Sequence, residues 1–558
     1  MSAAQDGRPW VPVPLARGSH GAVVAPHHLA TTAGLGILRQ GGSAVDAAIA
    51  TNAVLGVVAP QSCGIGGDAF WLIWDQATGR QTALNGSGRS AGSVDVAGLR
   101  ALGHERVPFR GPLSITVPGA VRSWGDAHAR HGRLSRDLIL APAVELARDG
   151  FPASDDFVDA VESMAPIARR LTGPDGGFDA VFRPHGRAWR RGERVRLPAI
   201  AGTLERLASD GFDSFYDGEI GDRQVKALAV AGCPITTDDL RAHASTWGAP
   251  IELDYRGVRA TTHPPNSSGV VALEILGILA RLEPPGRDAF TEHGVTDPTW
   301  IHAGIEAAKL AMADRDAYLT DPDTDEVPVG RLLDPARLDD LARRIDLRRA
   351  MAPARATNPP GGDTIFLGSV DAEGNAVSLI ESNWAGFGSG IVDPETGVHY
   401  QNRGSYFSLD PDHPNVLAPR KRTLHTLLPG MLFRAGQPGP WIVVGSMGGD
   451  AQPQIHAQFV SAVVDGGLDI RTAVSAPRWY VEPRELLAPP IDVHLESRHV
   501  PGVVDALRSM GHELVPTAAF DGDVGHEHAI ELVDGGPAGG GSVAAATDPR
   551  SEGLPAVW

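Results

Sequence analysis

Residues 352–363 read APARATNPPGGD, and the prolines and glycines there exclude regular helix or strand. Directly behind them the chain becomes an amphipathic hairpin, TIFLGSV at 364–370 and NAVSLIES at 375–382, joined by the turn DAEG. Any fold must pass an irregular linker straight into a buried strand, and the first strand residue, Thr364, bears a hydroxyl. Were the backbone cut before it, one residue would hold a nucleophile and a free α-amine of pKa about 7.7–8.0, able to act as its own general base. By local pattern alone a threonine opening a strand is ordinary β-propensity, and the junction reads as a loop entering a sheet.

The rest of the chain divides around that linker. Residues 29–58 are small, alanine-rich and broken by Gly41-Gly42, which predicts two close-packed buried helices. Apolar alternation at 68–74 and 81–84 around DQATG predicts a hairpin, with Gly64 to Gly67 at the entrance of its sheet. From 119 to about 350 the pattern is mostly helical, with clear periodicity at 137–149, 198–210, 268–282, 300–318 and 336–349 and a turn at 174–177. One face of 300–318 is expected to be core. The final third reads as α/β, with strands near 398–401, 430–434 and 440–445 and helices near 453–465 and 501–510.

A net charge of −18 disfavours nucleic acid and anionic membrane surfaces as partners. Cys63 and Cys233 are too few for a disulfide framework and lack the partners of a structural zinc site. The N-terminal residues show no basic segment followed by an apolar one, and no run reaches the ~18 apolar residues of a membrane span. A cytoplasmic location is expected.

Two glycine loops could bring backbone amides to a ligand: Gly64-Ile65-Gly66-Gly67-Asp68, and GSMGGD at 445–450 after WIVV, where N–H groups could face a developing oxyanion. Each alone is also what a strand-ending turn looks like. GLGILRQGG at 34–42 lacks the preceding strand and spacing of a dinucleotide loop. No Walker A, HExxH or calcium loop occurs, His526-Glu527-His528 has no third ligand in evident spacing, and the GxSxG elbow of serine hydrolases is missing. No metal or cofactor is expected.

Several segments in one order resemble the γ-glutamyltransferase family of N-terminal-nucleophile hydrolases, over nearly the whole chain. They are GGSAVDAAIATNAVLGVVAPQSCGIGGDAF, LSITVPGAV, LAPAVELARDGFP, PPNSSGVVALEILGIL, EAAKLAMADRDAYLTDP, GSMGGD and SAPRW. The resemblance implies an α+β fold, a four-layer αββα sandwich with a helix-rich N-terminal two-thirds. It places the nucleophilic threonine at Thr364, before Val370-Asp371 and Gly374-Asn375-Ala376-Val377. It also implies self-cleavage between Asp363 and Thr364 into 1–363 and 364–558, roughly 38 and 20 kDa in proportion to length. The fragments would stay associated in one core. Ser382 then stands where the family has a threonine that hydrogen-bonds the nucleophile, and Gly448 and Gly449 supply the oxyanion amides.

Substrate positions depart from that pattern. The family's R-E-x-A-P arginine, which binds the α-carboxylate, has no counterpart in register; Arg89 lies about two positions away, in Asn85 to Ala91. The aspartate that meets the α-ammonium is missing, since the segment reads Gln401-Asn402-Arg403-Gly404-Ser405-Tyr406-Phe407-Ser408. A serine pair becomes His425-Thr426 after Lys421-Arg422-Thr423-Leu424. A lost charge-assisted bond costs about 1.5–3 kcal/mol, which disfavours ordinary glutathione transpeptidation. Arg403 reads either as a structural ion pair or, through its planar fork, as a carboxylate binder.

The expected activity is amide cleavage through an acyl-Thr364 intermediate passed to water, with Arg89 or Arg403 gripping an anionic substrate end and Ser405, His425 and Thr426 beside it. It resembles a branch that includes cephalosporin acylases and oxamate amidohydrolases. The alternatives are a γ-glutamyltransferase with a rewired headgroup site and a scaffold protein that never matures. The expected partner is a small-molecule amide or γ-glutamyl compound.

Overall fold

A computed structural model describes residues 15–558 except 174–176, 352–362, 438 and 486–487. Most of the linker read at 352–363, and of the turn read at 174–177, lies outside the described residues. Two seven-stranded antiparallel sheets face each other. In one, the hairpin Asp363–Val370 and Ala376–Trp384 lies at the centre, with Ala22–Val24 and Ala556–Val557 on one side and Asp68–Asp75, Arg80–Gly86 and Thr246–Gly248 on the other. In the other the order is Ala16–Gly18, Ser542–Ala546, Glu527–Val533, Ile442–Ser446, Gly430–Arg434, Val258–Thr262 and Ile251–Tyr255.

The period of two in the central hairpin sets the layering. Phe366 and Ile380 point between the sheets, where they meet Phe70, Met431, Val443 and Ile530. Ile365, Leu367, Val377 and Leu379 point the other way, into the helices of the N-terminal half. The second sheet likewise turns Ile442, Val444 and Ala529 onto its own helices, among them Gly269–Leu279, Pro298–Tyr318 and Gln452–Val464. This is the expected αββα sandwich, and strands on both sides of the 363/364 bond share each sheet.

The predicted helix pair forms as His28–Arg39 and Ala44–Val58. Ser43 caps the second: its hydroxyl accepts from the Asp46 amide at 3.1 Å, and Asp46 accepts from the Ser43 amide at 2.9 Å. The small side chains permit close approach; a Cβ on Gly34 would lie 2.2 Å from Thr51 Oγ1.

Three expectations change. Within the stretch read as helical, Thr246–Gly248, Ile251–Tyr255 and Val258–Thr262 are strands, because they complete sheet edges and pair with Arg80–Gly86 and Gly430–Arg434. Residues 398–401 form only a single bridge, Val392 to His399, and no regular strand. The helix Pro298–Tyr318 is buried on every side from Trp300 to Met312, not on one face, since it is packed among other helices and the strand Trp479–Glu485. Among the described residues no helix is long and apolar enough to cross a membrane.

Candidate active site

Thr364 sits at the start of its strand, 2% exposed, where the pairing register slips: Asp363 faces Trp384, but Ile365 faces Glu381. Two residues, Ser382 and Asn383, therefore oppose one. The Thr364 hydroxyl donates to Ser382 Oγ at 3.0 Å, and Ser382 Oγ donates to the Asp363 carbonyl oxygen at 2.7 Å. That carbonyl belongs to the peptide bond joining Asp363 to Thr364. The Trp384 amide donates to the same serine oxygen at 2.8 Å, and Arg403 Nη2 approaches it at 3.4 Å.

A hydroxyl oxygen has one proton and two lone pairs, so with this many contacts the long Arg403 bond is weak. Arg403 is 1% exposed, stacked on Trp384 at 4.9 Å and Tyr406 at 5.4 Å. Its Nη1 donates to Thr426 Oγ1 at 3.2 Å, and its Nε has no hydrogen-bond partner. No carboxylate pairs with it among the described residues, and burial pushes its pKa down to about 10. The side chain is thus neither at the surface nor in an ion pair.

The other substrate candidates fall in different surroundings. Arg89 is held away from this cluster by Asp321 at 2.8 Å and Asp323 at 2.6 Å. Ser405 donates locally to the Asn402 carbonyl at 2.8 Å. His425 is fully buried against Phe70, 3.3 Å from Asp68 Oδ2, and burial lowers its pKa. Gly448 and Gly449 follow the strand Ile442–Ser446 with φ of +139° and +52°, left-handed values that glycine tolerates. Neither amide is taken up by a backbone carbonyl among the described residues. Gly448 and Asp363 line one cavity of about 770 Å³, and burial pushes the Asp363 carboxyl up to about 6.

Two carboxylates that sequence reasoning passed over lie beneath the site. Glu381 accepts from the Gly64 amide at 2.9 Å and Asn52 at 2.8 Å, and Asp68 accepts from the Gly88 amide at 2.8 Å. Burial pushes Glu381 up to about 8 and Asp68 up to about 7. Such groups favour the fold while protonated and withdraw that support as pH rises through the folded pKa. Buried histidines act oppositely: His263 and His399, pushed down to about 4 by burial, favour the fold above an unfolded value of about 6.5 and lose that support as pH falls through about 4. Between about pH 6.5 and 8 the carboxyls dominate. Burial also raises Glu527 to about 8 and Glu274 to about 10, so stability measured by urea unfolding should fall across that window and Glu381→Gln should lessen the fall without abolishing it; a wild-type stability rising from pH 6.5 to 8 would contradict this assignment.

The described residues bring one set of metal-type ligands together, His302, Glu306 and His512, with ligand atoms within 4.8 Å of one another. His302 Nδ1 and His512 Nε2 are hydrogen-bonded at 2.7 Å, and Lys309 Nζ sits on Glu306 Oε1 at 2.6 Å. An ammonium already occupies the place a cation would take.

The comparisons agree with this architecture. A family model described as gamma-glutamyltranspeptidase matches residues 30–558. The oxamate amidohydrolase proenzyme of Klebsiella pneumoniae is 40% identical over 550 residues, 97% of this chain and 99% of the relative. The glutathione hydrolase-like YwrD proenzyme of Bacillus subtilis is 38% identical over 534 residues, 95% of this chain and 97% of the relative. The crystal structure of a cephalosporin acylase from Bacillus halodurans superposes with a TM-score of 0.90 at 36% identity, covering 100% of this chain and 99% of that one. The chain therefore belongs to the γ-glutamyltranspeptidase family and is a self-processing amidohydrolase of the N-terminal-nucleophile class.

Proposed function

We propose that the chain cuts itself between Asp363 and Thr364 and that the freed Thr364 attacks amides whose acyl half carries a carboxylate held by Arg403. The observation that carries the substrate reading is Arg403 itself: a guanidinium 1% exposed, with no carboxylate partner among the described residues and an orphaned Nε. Asp68 and Asp450 act on it only through space, and a buried guanidinium with no carboxylate in contact is costly, a cost that an anionic ligand would offset.

The chemistry follows from the contacts. In maturation Thr364 Oγ1 attacks the Asp363 carbonyl carbon while Ser382 Oγ–H polarises its oxygen, 2.7 Å away. The C–N bond breaks as the hydroxyl proton passes to the departing Thr364 nitrogen, the acyl group is left on oxygen as an ester, and water releases residues 1–363 with a new carboxylate. Residues 364–558 then begin with a free α-amine. In turnover that amine takes the hydroxyl proton as Thr364 Oγ1 bonds the substrate carbonyl, and the proton leaves with the amine product. The amides of Gly448 and Gly449 serve the oxyanion, and water hydrolyses the acyl ester.

Oxamate, named in one relative, bears its carboxylate directly on the scissile carbonyl. That suits a guanidinium separated from Thr364 by one shared serine hydroxyl, through contacts of 3.0 and 3.4 Å. The enzyme works in the cytoplasm in this reading, in keeping with Cys63 and Cys233, both buried and unpaired. Matured protein offered oxamate, glutaryl amides and γ-glutamyl anilides should prefer non-amino-acid acyl groups; exclusive turnover of the γ-glutamyl compounds would overturn the substrate reading.

Ser382 gives a separate test. Ser382→Ala removes the donor to the Asp363 carbonyl and should slow self-cleavage by about 100-fold or more, whereas Ser382→Thr should mature readily. A gel time course checks this, and an alanine variant that matures at the wild-type rate would remove Ser382 from the mechanism.

A further inference from the structure

The two halves of a substrate amide would meet opposite chemistry on either side of Thr364. At Arg403 two donors, Arg403 Nε and Trp384 Nε1 of the ring it stacks on, are buried without hydrogen-bond partners. The cavity of about 770 Å³ that reaches Asp363 and Gly448 is lined instead by Asp156, Asp159, Glu482 and Asp523. Its one arginine, Arg550, is already engaged by Asp548 at 3.0 Å and Glu496 at 2.5 Å.

Not all of these acids are available. Asp159 meets Arg191 at 3.0 Å, Glu482 lies 3.9 Å from His494 Nε2, and Asp450, also in the lining, meets Arg315 at 2.8 Å. Asp156 and Asp523 have no arginine or lysine partner among the described residues. Burial raises the pKa of both, reinforced by Asp155 and Asp159 around the first and Asp521 beside the second, where His494 acts the other way. Independently of the acids, Gln61 lines the same cavity at 9% exposure, with its buried Oε1 lacking any hydrogen-bond donor. An amide oxygen only accepts. Acidic side chains outnumber the basic Arg550, His494 and His526 in this lining, and a cleft of net negative charge focuses its field on whatever enters it.

We propose that this cavity receives the amine half of the amide and selects amines that carry a positive charge. The inference rests on the reading of Thr364 as nucleophile. It assigns the substrate an anionic acyl end at Arg403 and a cationic amine end near Asp156 and Asp523, with Gln61 Oε1 accepting a hydrogen bond from the same group. The scissile C–N bond breaks between them as the Thr364 Oγ1–C bond forms, and the departing nitrogen takes up the hydroxyl proton through the Thr364 amine. In transfer the same cavity admits a cationic amine acceptor.

The test compares choline with 3,3-dimethylbutan-1-ol, which has the same shape without the charge, binding to the purified protein by calorimetry at low salt. Choline should bind at least about tenfold more tightly. In Asp156→Asn/Asp523→Asn the gap should shrink to within about twofold. Asp523 is exposed, so Asp523→Asn alone offers a folded variant in which the gap should narrow. Equal binding of the two compounds, or a choline preference unchanged in both variants, would overturn the proposal. Failure of the underlying reading looks different: an uncleaved chain, or turnover indifferent to the acyl carboxylate, neither of which enters this binding comparison.

Discussion

Thr364→Ala is expected to leave a single chain of 58.6 kDa that never separates into two bands and turns over no amide. In the proposed mechanism one hydroxyl serves both steps, so its loss should stop maturation and catalysis together. Activity should fall by at least about a thousandfold, as when a covalent nucleophile is removed. The fold should persist. The ladder from Ile365 to Val370 on one side and from Gly368 to Val370 on the other does not run through Thr364. Thr364→Ser, which keeps the hydroxyl, should still cleave. An alanine variant that matures would place the nucleophile elsewhere.

Arg403→Gln should separate substrates by charge. Amides with a carboxylate on the acyl half should lose about 100-fold in kcat/KM, the equivalent of one or two charge-assisted hydrogen bonds, while neutral amides should change by only a few-fold. Lysine should rescue poorly, because an ammonium cannot reproduce the planar fork between Thr426 and Ser382. Arg403 also touches Ser382, so the comparison is made on the matured fraction. Equal losses for charged and neutral amides would reduce Arg403 to a structural role.

Much of the fold was legible where periodicity was strong. The helices around Gly41-Gly42, the hairpin at Asp68–Asp75 and the hairpin behind the linker all follow from local pattern. The strands between 246 and 262 were not, because each is three to five residues long and earns its conformation by pairing with segments far along the chain. The site divides the same way. Thr364 and Gly448-Gly449 stand in recognisable motifs, but Arg403 is of a residue type that ordinarily faces water. Only the convergence of Trp384, held at φ +76°, with Tyr406 buries it. Asp68 sits inside a glycine motif that was read for its backbone. Its carboxylate matters because Gly88 and His425, distant in the chain, close on it.

Sequencing the first residues of the smaller chain in freshly purified protein bears most directly on the central claim. The account predicts two chains, one of which begins Thr-Ile-Phe-Leu at residue 364. A protein that remains one unbroken chain while hydrolysing amides at full rate, or a small chain that starts at any other residue, would contradict it.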